Sequence, residues 1–179
     1  TGLTIPNTSI NNASLNSVTA LPSGIDTGKV GQIQVNNYIG SISNSGTTFT
    51  DVQTLTVTPE SQNSKYLVRL NGGYTYSVSD KYMAVRVLVN ENSGGFNAIK
   101  TANNKDVATN HGTNSSYLTA PHSWEFFYTP SNTSSLTSIV FKTQFASINT
   151  SGAVQYNAGA FHSSSLEGTC VLSCMEILA

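Results

Sequence analysis

The residues able to do chemistry in this chain are few and far apart. Two cysteines, Cys170 and Cys174, stand four positions from each other. On one extended strand their Cα atoms would be roughly 13 Å apart, beyond the reach of about 7 Å over which a disulfide closes. An intrachain bridge is therefore excluded, and both thiols are expected to be small buried hydrophobes. Two other roles stay open: a bridge between chains near a symmetry axis, or a metal site. For the second, Cys-x3-Cys with no nearby histidine is a poor ligand set. Reduced thiols fit a reducing folding compartment.

The three histidines, His111, His122 and His162, lie in turn-like or serine-rich surroundings. A loop imidazole is commonly a solvated side chain or a local hydrogen-bond partner. Asp51, Asp80, Asp106, Glu125 and Glu167 are scattered, and no spacing pairs two carboxylates as glycoside hydrolysis requires. Gly-x-Ser-x-Gly, His-Glu-x-x-His and phosphate-loop patterns do not occur. Glu176 is the unusual acid, on the parity of Leu172 and Cys174. It could end its strand facing solvent; buried, it would need Arg69, Arg86 or a backbone donor. The expectation is a chain that is not an enzyme, with no catalytic residue, metal site or cofactor.

Recognition is the chemistry the residues suit better. The turn Asn90–Gly95 and the region Lys100–Ser123 are rich in Asn, Ser, Thr and Gly. Amides and hydroxyls pair with sugar hydroxyls, and an aromatic ring offers an apolar face. Phe96, His111, Asn114, Tyr117 and His122 are the candidate ligand contacts. The plainer reading of the same region is a mobile surface loop.

These loops need a scaffold, and composition bounds it. The chain has 179 residues, only 9% of them charged, with a net charge of −1. An ordinary soluble domain has about 25% charged residues. Neither nucleic acid nor acidic lipid finds an electrostatic footprint here, and no long apolar segment suggests membrane insertion. Ser, Thr and Asn fill the polar role. With 38% hydrophobic residues, this points to an all-β surface built to touch something.

From Lys29 onward the pattern is strand after strand. Lys29–Ile39 alternates with Ile33, Val35 and Ile39 on one side, and Asn36-Asn37 suggests a local irregularity. Thr47–Thr58 carries Phe49, Leu55 and Val57 on one parity before Pro59 stops it. Tyr66, Val68 and Leu70 alternate, then Asn71-Gly72-Gly73 permits a bulge. Met83, Val85, Val87 and Val89 form an inward row. Trp124, Phe126 and Tyr128 form another, as do Ile139, Phe141, Thr143 and Phe145, and Val154–Tyr156 is a short segment. The closing stretch Gly168–Ala179 places Cys170, Leu172 and Cys174 on one face and Val171, Met175 and Ile177 on the other. Apolar on both faces, it should lie inside a two-layer structure, between strands made much earlier. About eight or nine strands with Gly, Asn and Pro punctuation and no helical period predict an antiparallel β-sandwich over residues 29–179.

Residues 1–28 differ. Ile5, Ile10, Leu15, Val18 and Leu21 are single apolar residues among Asn, Ser and Thr, and Pro6 and Pro22 exclude a continuous central strand. The segment is either a disordered tail or an extended arm that orders against neighbouring chains. Full burial of those five residues would contribute about 1.5–3 kcal/mol each. Ordering costs about 1 kcal/mol or more per residue. An arm must therefore recover backbone hydrogen bonds from its partner, as an added strand does.

Several stretches carry a resemblance. Gly28-Lys29-Val30-Gly31-Gln32, Thr47–Val52, Leu55-Thr-Val-Thr-Pro59, Ser64–Val68 and Cys174-Met175-Glu176-Ile177 resemble a class of bacteriophage virion proteins. Ile10–Ser14 and Leu21–Gly24 look like the segment that precedes such domains in phage fibres. The cysteines depart from that pattern, in which Thr, Ser or Leu is more typical. The resemblance implies a jelly-roll-like domain, a homotrimer, on a tail fibre, head fibre or capsid decoration. It implies assembly in the bacterial host cytoplasm and residence in the virion. Two functions follow: a fibre or spike contacting a host glycan or protein, or a decoration or cement protein anchored to other virion proteins by its arm. Five Asn-x-Ser/Thr sequons would matter only for another origin, a secreted trimeric head similar to complement or tumour-necrosis-factor domains.

Overall fold

The computed structural model describes residues 29–77, 83–99, 118–147, 154–158 and 169–178. Ten strands run in chain order: β1 (Val30–Ile39), β2 (Ile42–Asn44), β3 (Thr50–Val57), β4 (Lys65–Ser77), β5 (Met83–Glu91), β6 (Asn97–Ala98), β7 (Leu118–Tyr128), β8 (Ile139–Ser147), β9 (Val154–Ala158) and β10 (Thr169–Ile177). None of the described residues is helical. Two short strands, β2 and β6, were not foreseen. At three and two residues they are too brief to show a period.

All pairings are antiparallel, and their order is that of one long hairpin folded over. β4 has β7 along one side; along the other it has β10 beside Lys65–Gly72 and β9 beside Tyr74–Ser77. β9 and β10 thus share one lane, and β1 and β2 pair with them as a second broken lane. Counted as lanes, the first pairs with the last, β3 with β8, β4 with β7 and β5 with β6. The sheets are β1/β2–β10/β9–β4–β7 and β3–β8–β5–β6. That is the strand order of a jelly roll.

The closing strand lies between β1 and β4, as expected. Its Cys170, Leu172 and Cys174 are buried in the core with Tyr66, Val68 and Leu70 of β4 and Val85, Val87, Phe141 and Phe145 of the facing sheet. Its other face, Val171, Met175 and Ile177, is only half-buried. The second sheet covers one side of β10, not both. The expected bulge at Asn71-Gly72-Gly73 is present as a register shift between Asn71 and Tyr74.

β1 reverses the usual parity. Ile33, Val35 and Ile39 face outward, exposed by 58%, 53% and 68%. The half-buried positions are instead Gln32, Asn36 and Tyr38. The physical reason is what lies beneath this edge strand. β3 ends the other sheet there with unpaired carbonyls. Asn36 Nδ2 donates to Thr54 O at 2.7 Å and Gln32 Nε2 to Thr58 O at 2.5 Å. Amides facing inward close that side of the sandwich and cap β3 against further pairing. Asn36-Asn37 is not the irregularity; the shift in β1 falls between Val30 and Ile33.

Candidate functional site

The first site is a buried carboxylate. Glu176 is fully buried, not solvent-facing, and neither Arg69 nor Arg86 supplies its partner. Gln32 Nε2 donates to it at 2.7 Å and Tyr66 Oη at 3.3 Å. The backbone N–H groups of Glu60 and Ser61 donate at 2.9 and 3.2 Å. Those N–H groups lie just after Pro59, where the chain leaves β3 and has no ladder partner. Burial pushes the Glu176 pKa up, but the Ser64 hydroxyl, the Gln32 amide and the two backbone N–H groups outweigh it and hold it below its ordinary value. Ser64 Oγ is buried and forms no hydrogen bond of good geometry; its effect is that of a nearby dipole. Gly31 lies close above this node. A Cβ there would stand 2.9 Å from both Glu60 Oε2 and Leu178 Cδ2. The arrangement holds a charge and ties three strands.

The thiols are structural. Cys170 and Cys174 are free and buried. Cys170 Sγ lies 3.0 Å from Tyr156 Oη and accepts from Gln53 Nε2 at 3.4 Å. Burial, aided by the charge on Glu176, pushes the Cys174 thiol up to about 12. Both sulfurs point into the core, so a bridge between chains is excluded while the sandwich is folded.

The two outer faces differ in chemistry. On the β3–β8–β5 sheet, Asp51, Gln144 and Arg86 lie in one cross-strand row. Asp51 accepts from Gln144 Nε2 and from Lys142 Nζ at 2.8 Å, which holds its carboxyl below the usual range. On the β1–β10–β4–β7 sheet, Ile33, Met175, Leu67 and Phe127 are in register across four strands. The next row is Val35, Ser173, Arg69 and Glu125. Arg69 and Glu125 form an ion pair with each other. Phe127 is 68% exposed.

The sequence-predicted ligand contacts are placed only in part. Phe96 is exposed, its ring 4.0 Å from Lys142 Nζ. His122 lies within β7, not in a loop, because that strand begins at Leu118. His111, Asn114 and Tyr117 lie outside the described residues, as do the arm residues Ile5, Ile10, Leu15, Val18 and Leu21. Beside Phe96, the Asn90–Gly95 turn is as expected, with Asn92, Ser93 and Gly95 at positive φ. It borders a cleft of about 430 Å³ lined by Val89, Glu91, Gly94, Gly95, Asn97, Tyr128 and Ser131.

Sequence reasoning missed Glu91, which organises that cleft. Its carboxylate accepts from Tyr128 Oη, from Ser131 N and Oγ at 2.8 Å each, and from Asn132 N at 3.1 Å. Burial pushes its pKa up, and these donors bring it below the ordinary value. Asn92 Oδ1 accepts from Thr137 N and Ser138 N, fastening the turn to the chain entering β8. No sequence signal could have found this, since the donors come from a segment about forty residues away.

No family model and no curated protein sequence matches the chain. Among solved structures it is similar to the Gx strain of infectious bursal disease virus, at 12% identity and a TM-score of 0.41, over 84% of this chain and 38% of that one. The VP2 subviral particle of that virus aligns at 12% identity and a TM-score of 0.42, over 84% and 39%. T=1 particles derived from the virus align at 13% and 0.39, over 84% and 37%. The chain spans less than two fifths of the length of these structures.

Proposed function

We propose that the chain is a structural protein of a bacteriophage virion, a trimeric fibre- or spike-type β-sandwich that projects from the particle and contacts the host surface. The observation that carries this is where the resembling stretches meet. Gln32, Thr58, Tyr66 and Glu176 belong to four separate stretches, and they meet at one buried carboxylate: the Gln32 amide and the Tyr66 hydroxyl bond Glu176, and the same amide reaches Thr58 O. Residues whose order along the chain resembles phage virion proteins therefore share a structural reason, the closure of the jelly roll by its last strand.

Host contact falls to the loop end of the sandwich. Phe96, Asn97, Tyr128 and the backbone of Gly94 and Gly95 offer a ring face and polar groups suited to a glycan or a protein loop. Chemical catalysis is no part of this role, and no metal or cofactor is needed. The arm, residues 1–28, joins the sandwich to other virion proteins.

Cryo-electron microscopy of the particle, with and without residues 1–26 of this chain, tests the reading. The expected density is a knob projecting from the particle, lost on truncation although the truncated chain still folds. Density lying flat over capsid or tail subunits would replace the fibre by a decoration protein without a receptor role. Absence of the chain from the particle would overturn the proposal.

A further inference from the structure

We infer that the outer face of the β1–β10–β4–β7 sheet is the surface that copies of this chain bury against one another, with the row Ile33–Met175–Leu67–Phe127 at its centre. The inference rests on the self-assembly in the proposed function and names the surface that carries it.

Three observations select a second copy as the occupant. The first is chemistry. The opposite outer face carries a network of Asp51, Lys142, Gln144 and Arg86, and its two rings, Phe49 and Phe96, lie under the Arg86 and Lys142 cations. This face puts one apolar side chain from each of four strands in a single line, with Ile33 and Phe127 exposed at its ends and Met175 half-buried and Leu67 buried between them, flanked by Val35 and Val171. A line of that kind gains nothing from solvent and marks an interaction surface.

The second observation is charge. Arg69 and Glu125 neutralise each other within the face, so two copies meet without like-charge repulsion. Each group is about half exposed and can exchange its partner for the opposite charge of a neighbour. A strongly acidic or basic partner would have no complement here.

Area is the third. Four lanes at about 4.8 Å and nine residues at about 3.4 Å give a face of roughly 19 by 30 Å, about 600 Å² in projection. With the relief of protruding side chains this matches the about 800 Å² per partner of a standard stable interface. A cleft of about 270 Å³ between Ile33, Val35, Leu67, Val171 and Met175 gives the surface a socket, and Phe127 stands at the other end of the line as a knob. Unlike ends let copies pack head to tail around a closed ring.

Full-length protein carrying a photo-reactive benzoyl-phenylalanine at position 127 tests this, together with Ile33→Asp, Phe127→Asp and, on the opposite face, Thr56→Asp. All three natural positions are exposed, so folding, checked by thermal melting, should survive. Cross-links from position 127 should map to β1, β10 or β4 of a second copy. Ile33→Asp and Phe127→Asp should lose the oligomer at micromolar concentration, while Thr56→Asp retains it. If Phe127→Asp keeps the full oligomer mass, this face is not the interface, although the virion reading stands. Cross-links into residues 1–28 would make the arm the occupant and overturn the inference. A wild-type monomer would overturn both this inference and the trimer.

Discussion

Gln32 and Glu176 lie 144 residues apart in sequence and 2.7 Å apart in the fold. The same Gln32 amide also donates to Thr58 O, so one side chain joins the first strand, the last strand and the exit of β3. The carboxylate it meets is the acceptor for backbone N–H groups that no ladder serves. The jelly roll is thereby closed by a charge, not only by apolar packing.

Glu176→Gln should therefore be costly. The substitution puts an amide NH₂ among donors and removes charge-assisted bonds worth about 1.5–3 kcal/mol each, so a net loss of about 2–3 kcal/mol is expected. The carboxyl is held below its ordinary value of 4.5. Its contribution is present above the unfolded pKa and is lost as pH falls through the lower folded value. Urea unfolding at pH 7 and pH 3 should show the difference between wild type and variant shrinking in acid. An equal difference at both pH values would contradict this account of the node.

The Glu91 latch should act more locally. Glu91→Ala removes the acceptor for the Ser131 and Asn132 N–H groups, and half-burial limits the global cost to about 1–2 kcal/mol. Hydrogen exchange should rise first at Ser131 and Asn132 and through the Asn90–Gly95 turn. As with Glu176, the depressed pKa makes this latch weaken in acid. Unchanged protection at those two amides would show that the latch holds nothing.

What could be read in the sequence, and what could not, divides along a physical line. Period-two alternation gave the rows Met83–Val89 and Ile139–Phe145, the closing strand and the cysteine environment, because side-chain parity is a local property. Alternation says which residues share a face, but not which face is covered. Ile33, Val35 and Ile39 show the point, since they share a face as expected and that face is outside. The partners of Glu176 and Glu91 were equally invisible, because side-chain and backbone donors alike are brought in by tertiary folding. Of the predicted ligand contacts, Phe96 alone could be placed at an exposed position beside a cleft.

The thiols should be silent in the native state. With Cys174 pushed up to about 12 and Cys170 raised by burial, almost no thiolate exists at pH 8. Iodoacetamide should leave both unmodified until denaturant is added, then label both, as read by intact mass. Rapid labelling of folded protein, or a disulfide-linked species on a non-reducing gel, would contradict their placement in the core.

Assembly through the apolar outer face is the central claim, and the mass of the full chain in solution tests it most directly. Light scattering at micromolar concentration should give about three times the chain mass of 19.0 kDa, falling to a single chain in Phe127→Asp. A clean monomer of the unaltered protein across that range would contradict the account.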